Sequence, residues 1–337
     1  MKKIVLLLVT VFMLVSFTHT GLADDIKGYM IPEYYSVAGH HEGEEGIEGQ
    51  HGFWLRRIYF GYNTKLGDNL SARVRFEMNS PAYGEDKMVA YVKNAHLKYS
   101  LGGGAGLIGG IIEPPSFNKV EKFWGHRYIE KTAADLFKFA SSRDFGLALD
   151  GKTKGGLVYT VMYGNYGSNK GEDNQGKGVY GRLGYESKGF YVEANGHLSS
   201  DNGSDYLYLS GFAGIKGGWG NIGANYIYLD KSKEDDSENM SAISAFTTLK
   251  LGKKTNMVLR YDHMLDPTLK HVKGYLRFHP DAPARLLIAA LTFKVHKMVQ
   301  LSPNVKYVFY GDPATGAKPD GDFYINLTAK VSFKTKL

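Results

Sequence analysis

Apolar and polar residues alternate with a period of two along much of the chain. In Asn69–Asn79, Leu70, Ala72, Val74, Phe76 and Met78 share one face, and Ser71, Arg73, Arg75 and Glu77 share the other. Phe190–Ser199 repeats the pattern, and so does the C-terminal stretch, where Phe323, Ile325, Leu327, Ala329, Val331 and Phe333 oppose Tyr324, Asn326, Thr328, Lys330, Ser332 and Lys334. Period two predicts strands with one apolar and one wet face. The pattern places about 16 of them, near 26–37, 53–64, 69–79, 88–101, 106–113, 143–150, 156–166, 178–186, 189–199, 205–216, 219–230, 241–251, 255–262, 284–296, 298–310 and 322–336.

The connections fall into two alternating sets. Lys65–Asp68, Gly102–Ala105, Gly151–Gly155, Ser187–Lys188, Gly217–Gly218, Gly252–Lys254 and His296–Lys297 are short. Ala38–Gly52, Ser80–Lys87, Pro114–Ser142, Gly167–Lys177, Ser200–Ser204, Lys231–Met240, His263–Pro283 and Gly311–Gly321 are mostly long. Val272–His279 is read as part of a long connection, which keeps the strand count even. Short turns at one end and long loops at the other predict an all-β fold: a transmembrane antiparallel β-barrel with short periplasmic turns and long external loops. A soluble β-sandwich also alternates, but it has no reason to segregate its loops, and its strands are usually shorter.

Composition then refines the picture. The chain has 337 residues, with 42 Gly, 24 Tyr, 18 Phe and no Cys. Without Cys there is no disulfide scaffold, thiolate nucleophile or cysteine metal site. A mean hydropathy of -0.28 does not exclude a membrane protein, because the two faces of each strand cancel in the average. Tyr59, Phe60, Tyr62, Tyr226, Tyr228, Tyr307 and Phe309 are expected to form girdles at the membrane interfaces.

Lys2 and Lys3 precede an apolar run, Ile4–Val15, and a small-residue site at Gly21-Leu22-Ala23. This predicts an export signal over 1–23 and a barrel over 24–337. The formal charge of +7 does not point to nucleic acid, because no aromatic-basic module accompanies it. Gly102-Gly103-Gly104-Ala105-Gly106 lacks the Lys-Ser/Thr that would follow in a phosphate-binding loop, so it reads as a turn. His40, His41, His51, Glu42, Glu44, Glu45 and Glu48 could form a divalent-cation patch; the preferred reading is a solvated acidic loop. No cofactor is expected.

Ile26–Gly151 resembles the phosphate-selective porin O/P family. The resemblance rests on Lys27-Gly28-Tyr29-Met30-Ile31-Pro32, Leu55-Arg56-Arg57-Ile58-Tyr59-Phe60-Gly61, Asn94-Ala95-His96-Leu97-Lys98-Tyr99, Leu107–Phe117, Tyr128-Ile129-Glu130-Lys131 and Ser142-Arg143-Asp144-Phe145-Gly146. Glu113 and Lys131 depart from the family's basic residue and arginine at those positions, and the chain ends in Leu337 instead of an aromatic. The resemblance implies an outer-membrane porin, a homotrimer set in lipid and lipopolysaccharide, with residues 114–142 folded into the lumen. Such a channel passes small hydrophilic solutes or ions.

The inward basic residues suggest an anion preference, because charges in a narrow lumen are poorly screened. The candidate pore-lining residues are Arg73, Arg75, Lys98, Lys119, Lys122, Arg127, Lys131, Arg182, Arg260 and Lys330. The alternatives are a barrel enzyme, or a structural or electron-conduit barrel that holds a partner. An enzyme would need a nucleophile or acid beside a histidine; His96 and Ser100 share parity but lie too far apart along a strand.

Overall fold

The computed structural model describes residues 24–84, 86–172, 175–201, 203–233, 236–267 and 274–336. The expected export signal, 1–23, lies outside them. Sixteen strands form, each where the alternation places one: β1 (Asp25–Gly39), β2 (His51–Lys65), β3 (Leu70–Asn79), β4 (Val89–Gly102), β5 (Ala105–Ile112), β6 (Asp144–Lys152), β7 (Leu157–Gly164), β8 (Gly178–Glu186), β9 (Phe190–Asp201), β10 (Ser204–Gly217), β11 (Gly220–Lys233), β12 (Asp236–Lys250), β13 (Thr255–Met264), β14 (Ala284–His296), β15 (Val299–Tyr310) and β16 (Asp322–Lys336). Each pairs antiparallel with the next, and β1 closes the barrel on β16, from Asp25 opposite Lys336 to Gly39 opposite Phe323. Closure leaves no sheet edge, as lipid requires, because every backbone donor and acceptor must find a protein partner there.

The two faces are inverted relative to a soluble protein. Leu198 is 65% exposed, Leu183 60% and Val161 59%, whereas Glu77, Asn94, Asp262, Lys306 and Thr328 are fully buried. Apolar side chains outside and polar ones inside define a transmembrane barrel. Among the described residues no helix is long and apolar enough to cross a membrane.

Three expectations are corrected. Tyr59 is buried, facing the lumen; its neighbour Phe60 takes the outward place. The connections at Ser200–Ser204 and Lys231–Met240 are not long loops. β9 runs to Asp201 and β10 starts at Ser204; β11 runs to Lys233 and β12 starts at Asp236. Polar residues there still pair across strands: Lys231 donates to Glu238 (3.0 Å) and the Ser237 hydroxyl to Asp230 (2.8 Å), which also accepts from Ser232 on its own strand (2.8 Å). Such cross-strand pairs extend a hairpin without any apolar signal. By contrast, residues 274–279 form no strand, in keeping with their reading as loop; 272 and 273 lie outside the described residues.

Candidate functional site

The longest connection, between β5 and β6, carries two short helices, α1 (Asn118–Trp124) and α2 (Ala133–Leu136). Pro114 and Pro115 end the strand, since proline has no N–H to give to a ladder. The segment is bonded to the inner wall on many sides. Arg182 of β8 donates to the Pro115 carbonyl (2.7 Å) and to Asn118, and Tyr208 of β10 donates to the Ser116 carbonyl (3.0 Å). Asn221 of β11 donates to the Phe123 carbonyl (3.0 Å), and His126 bonds Thr248 of β12 (2.9 Å). Arg260 of β13 donates to the Lys131 carbonyl, Tyr128 bonds Ser302 of β15 (2.9 Å), and Lys93 of β4 donates to Ser142 (3.0 Å). Phe123 and Trp124 pack against Phe246.

Glu130 is the main electrostatic anchor. Lys306 donates to its carboxylate at 2.7 Å and Arg56 at 3.3 Å, while Arg56 also reaches the Ile129 carbonyl (2.9 Å) and Glu33 (3.2 Å). Burial alone would raise the Glu130 carboxyl; Lys306 and Arg56 outweigh it and hold it well below the usual carboxylate range. Lys131 beside it has no such fixed partner, and burial pulls its ammonium down to about 8. Burial likewise lowers His126 to about 4, so its ring is neutral.

Two bulges add bases that strand parity does not reveal. Ile31 pairs with Arg57 and Pro32 with Leu55, so Arg56 is an extra residue, and both Arg56 and Arg57 turn inward. Arg75 pairs with Asn94 and Phe76 with Val92, so Lys93 is extra, and it too is buried. The guanidinium of Arg57 and the ammonium of Lys93 grip Glu77 at 2.9 and 2.8 Å.

The ten candidate residues separate by partner. Arg182 pairs with Glu193 (2.9 Å), Arg260 with Asp262 (2.5 Å) and Arg127 with Asp135 (2.9 Å) and Glu121. Lys98 meets Asp150 (3.1 Å) and Lys119 meets Glu186 (3.7 Å), both toward the short-turn end. Among the described residues, Arg73, Arg75, Lys122, Lys131 and Lys330 form no ion pair. Arg75 lies over the Tyr59 ring at 3.8 Å, and Lys330 over Tyr29 at 5.2 Å and Tyr128 at 5.7 Å.

Arg75 and Arg127 meet in one polar cavity between α1 and the β1–β5 wall, which Tyr29, Glu113 and Glu121 also line. Lys131 lines a second one with Arg57 and Lys138. Glu113, which replaces a base of the resembling family, is bonded by Arg143 at 3.0 Å. The residues that parity missed are Arg56, Arg57 and Lys93. The paired arginines were a visible signal for the first two; nothing in the alternation marked Lys93.

No protein-family model and no curated protein matches the chain. Solved structures do. It is similar to an anion-selective porin from Comamonas acidovorans, with 11% identity, a TM-score of 0.67, and 93% of this chain and all of that one covered. It is similar to the outer-membrane channel DcaP of Acinetobacter baumannii, with 11% identity, a TM-score of 0.66, and coverage of 93% and 98%. It is also similar to OmpT, an outer-membrane protein of Vibrio cholerae solved in trimer form, with 15% identity, a TM-score of 0.65, and coverage of 93% and 100%. At such identities the likeness is one of fold.

Proposed function

We propose that the chain is an outer-membrane porin of a Gram-negative-type bacterium, a water-filled channel for passive diffusion of small hydrophilic ions and solutes. The observation that carries this reading is the closed barrel of 16 strands with a charged inner wall. Barrels of about 16 strands enclose an aqueous channel, whereas about 8 strands are filled by their own side chains. Residues 114–142 act as the constriction. Their bonds to eight strands fix them rigidly enough to set a pore size.

The channel prefers anions. Arg73, Arg75, Lys122, Lys131 and Lys330 supply this preference, because no carboxylate among the described residues ion-pairs with them, and a guanidinium can grip an oxyanion such as phosphate with two donors. Arg182, Arg260 and Arg127 hold the constriction in place. The homotrimer in lipid and lipopolysaccharide belongs to the same reading; the neighbour solved in trimer form supports it. Purified protein in planar bilayers under a KCl gradient tests the preference. The expected reversal potential lies on the chloride side, and charge reversal at Arg73 and Arg75 shifts it toward potassium. A potassium-side potential in the unaltered protein would overturn the anion assignment.

A further inference from the structure

We propose that His40, His41 and Asp322 form a binding site for a divalent transition cation, with zinc the best match. One ligand atom from each of the three lies within 4.8 Å of the others. His40 and His41 follow the end of β1, and Asp322 opens β16, so the site sits where the barrel closes, at the long-loop end of the inner wall. The three side chains are almost wholly buried, at 0%, 5% and 0% exposure.

A second observation points to a ligand. His40 Nε2 is buried and has no hydrogen-bond partner among the described residues, an arrangement that is costly unless something binds there. The surroundings also resemble the outer shell of a metal site, where carboxylates and hydroxyls orient the ligands. Tyr310 donates to Asp322 Oδ2 at 2.6 Å, while Oδ1 accepts the His41 backbone N–H at 2.7 Å and meets His41 Nδ1 at 2.9 Å. His40 Nδ1 accepts the Glu42 backbone N–H at 3.2 Å, so Nε2 carries the ring proton; binding at Nε2 moves that proton to Nδ1, where the Glu42 carboxylate lies 3.6 Å away and can accept it. The His279 ring stands edge-on to that of His41, centroids 5.4 Å apart, and is a candidate fourth ligand; water is the other.

Ligands about 2 Å from a tetrahedral ion sit roughly 3.4 Å apart, so small side-chain rotations close the site. Binding replaces the hydrogen bond between His41 and Asp322 with two bonds to the ion and releases the proton they share. Two imidazoles and one carboxylate suit zinc, copper or nickel; magnesium and calcium require oxygen ligands. Of the acidic residues nearby, Glu48 is already occupied, accepting the His40 backbone N–H at 2.9 Å. The ion would tie the first long connection to the start of β16.

The test is zinc titration of the full-length barrel folded in detergent, stripped of metal and kept in excess magnesium. One Zn²⁺ per chain is expected. Asp322→Asn and His41→Gln abolish stoichiometric binding, and Tyr310→Phe, which removes the hydroxyl that donates to the ligand carboxylate, touches His41 Nδ1 at 3.3 Å and accepts the His279 backbone N–H at 3.2 Å, weakens it about tenfold. Each variant is first shown to keep the heat-sensitive gel mobility of a folded barrel. Failure of the folded unaltered protein to bind at micromolar zinc would overturn the proposal, as would binding unchanged in the folded Asp322→Asn and His41→Gln variants.

Discussion

Lys306 and Glu130 are both 1% exposed and 2.7 Å apart. Two charges held so deep stabilise a fold only together, since removal of one strands the other without water. Lys306→Met or Glu130→Gln is expected to destabilise the protein by about 3–5 kcal/mol, read as a lower urea midpoint for unfolding from bilayers. The anchor is robust to acid. Because the Glu130 carboxyl is held below the ordinary range, its stabilisation is complete above about pH 4.3 and is lost only as pH falls through the depressed value. Lys131 behaves in the opposite way. Its ammonium, pulled down to about 8 by burial, is charged below that pH and neutral above it. The proposed anion preference is therefore expected to fall as pH rises from 7 to 9, and Lys131→Met to flatten that dependence; reversal potentials measured across this range check both.

At the scale of elements, the strands were legible and their exceptions were not. Alternation such as Leu70 to Met78 states both the strand and its wet face, because lipid and lumen demand opposite chemistry. A bulge breaks that inference at a single residue. Arg56 and Lys93 each sit where one strand carries an extra residue, and the next side chain then also points inward. Sequence parity therefore recovered Arg73 and Arg75 but missed Lys93. The β11–β12 hairpin was hidden for another reason: Lys231, Ser232, Ser237 and Glu238 pair through polar groups and carry no apolar stripe. Carboxylate partners were equally hard to foresee. Arg182 and Arg260 read as pore-lining bases, yet Glu193 on the adjacent strand β9 and Asp262 two residues along the same strand lie at close range on the inner face. The proposed constriction makes the main prediction at this scale. Replacing 117–139 with a short Gly-Ser linker is expected to raise single-channel conductance severalfold while the barrel still folds.

The whole molecule is defined by its inverted faces. In a soluble protein, changing a surface residue such as Leu183, 60% exposed, is nearly neutral. On a lipid-facing wall, Leu183→Arg is expected to cost about 2–4 kcal/mol near the midplane, measured as reduced stability on refolding into vesicles.

The channel itself is tested most directly by liposome swelling. Vesicles loaded with an impermeant polymer and carrying the purified protein are diluted into isotonic solutions of small sugars and salts. Rapid swelling is expected, slowing steeply as solute size rises and quickening when 117–139 is replaced. Vesicles that hold correctly folded barrels and yet do not swell in any small solute would contradict it.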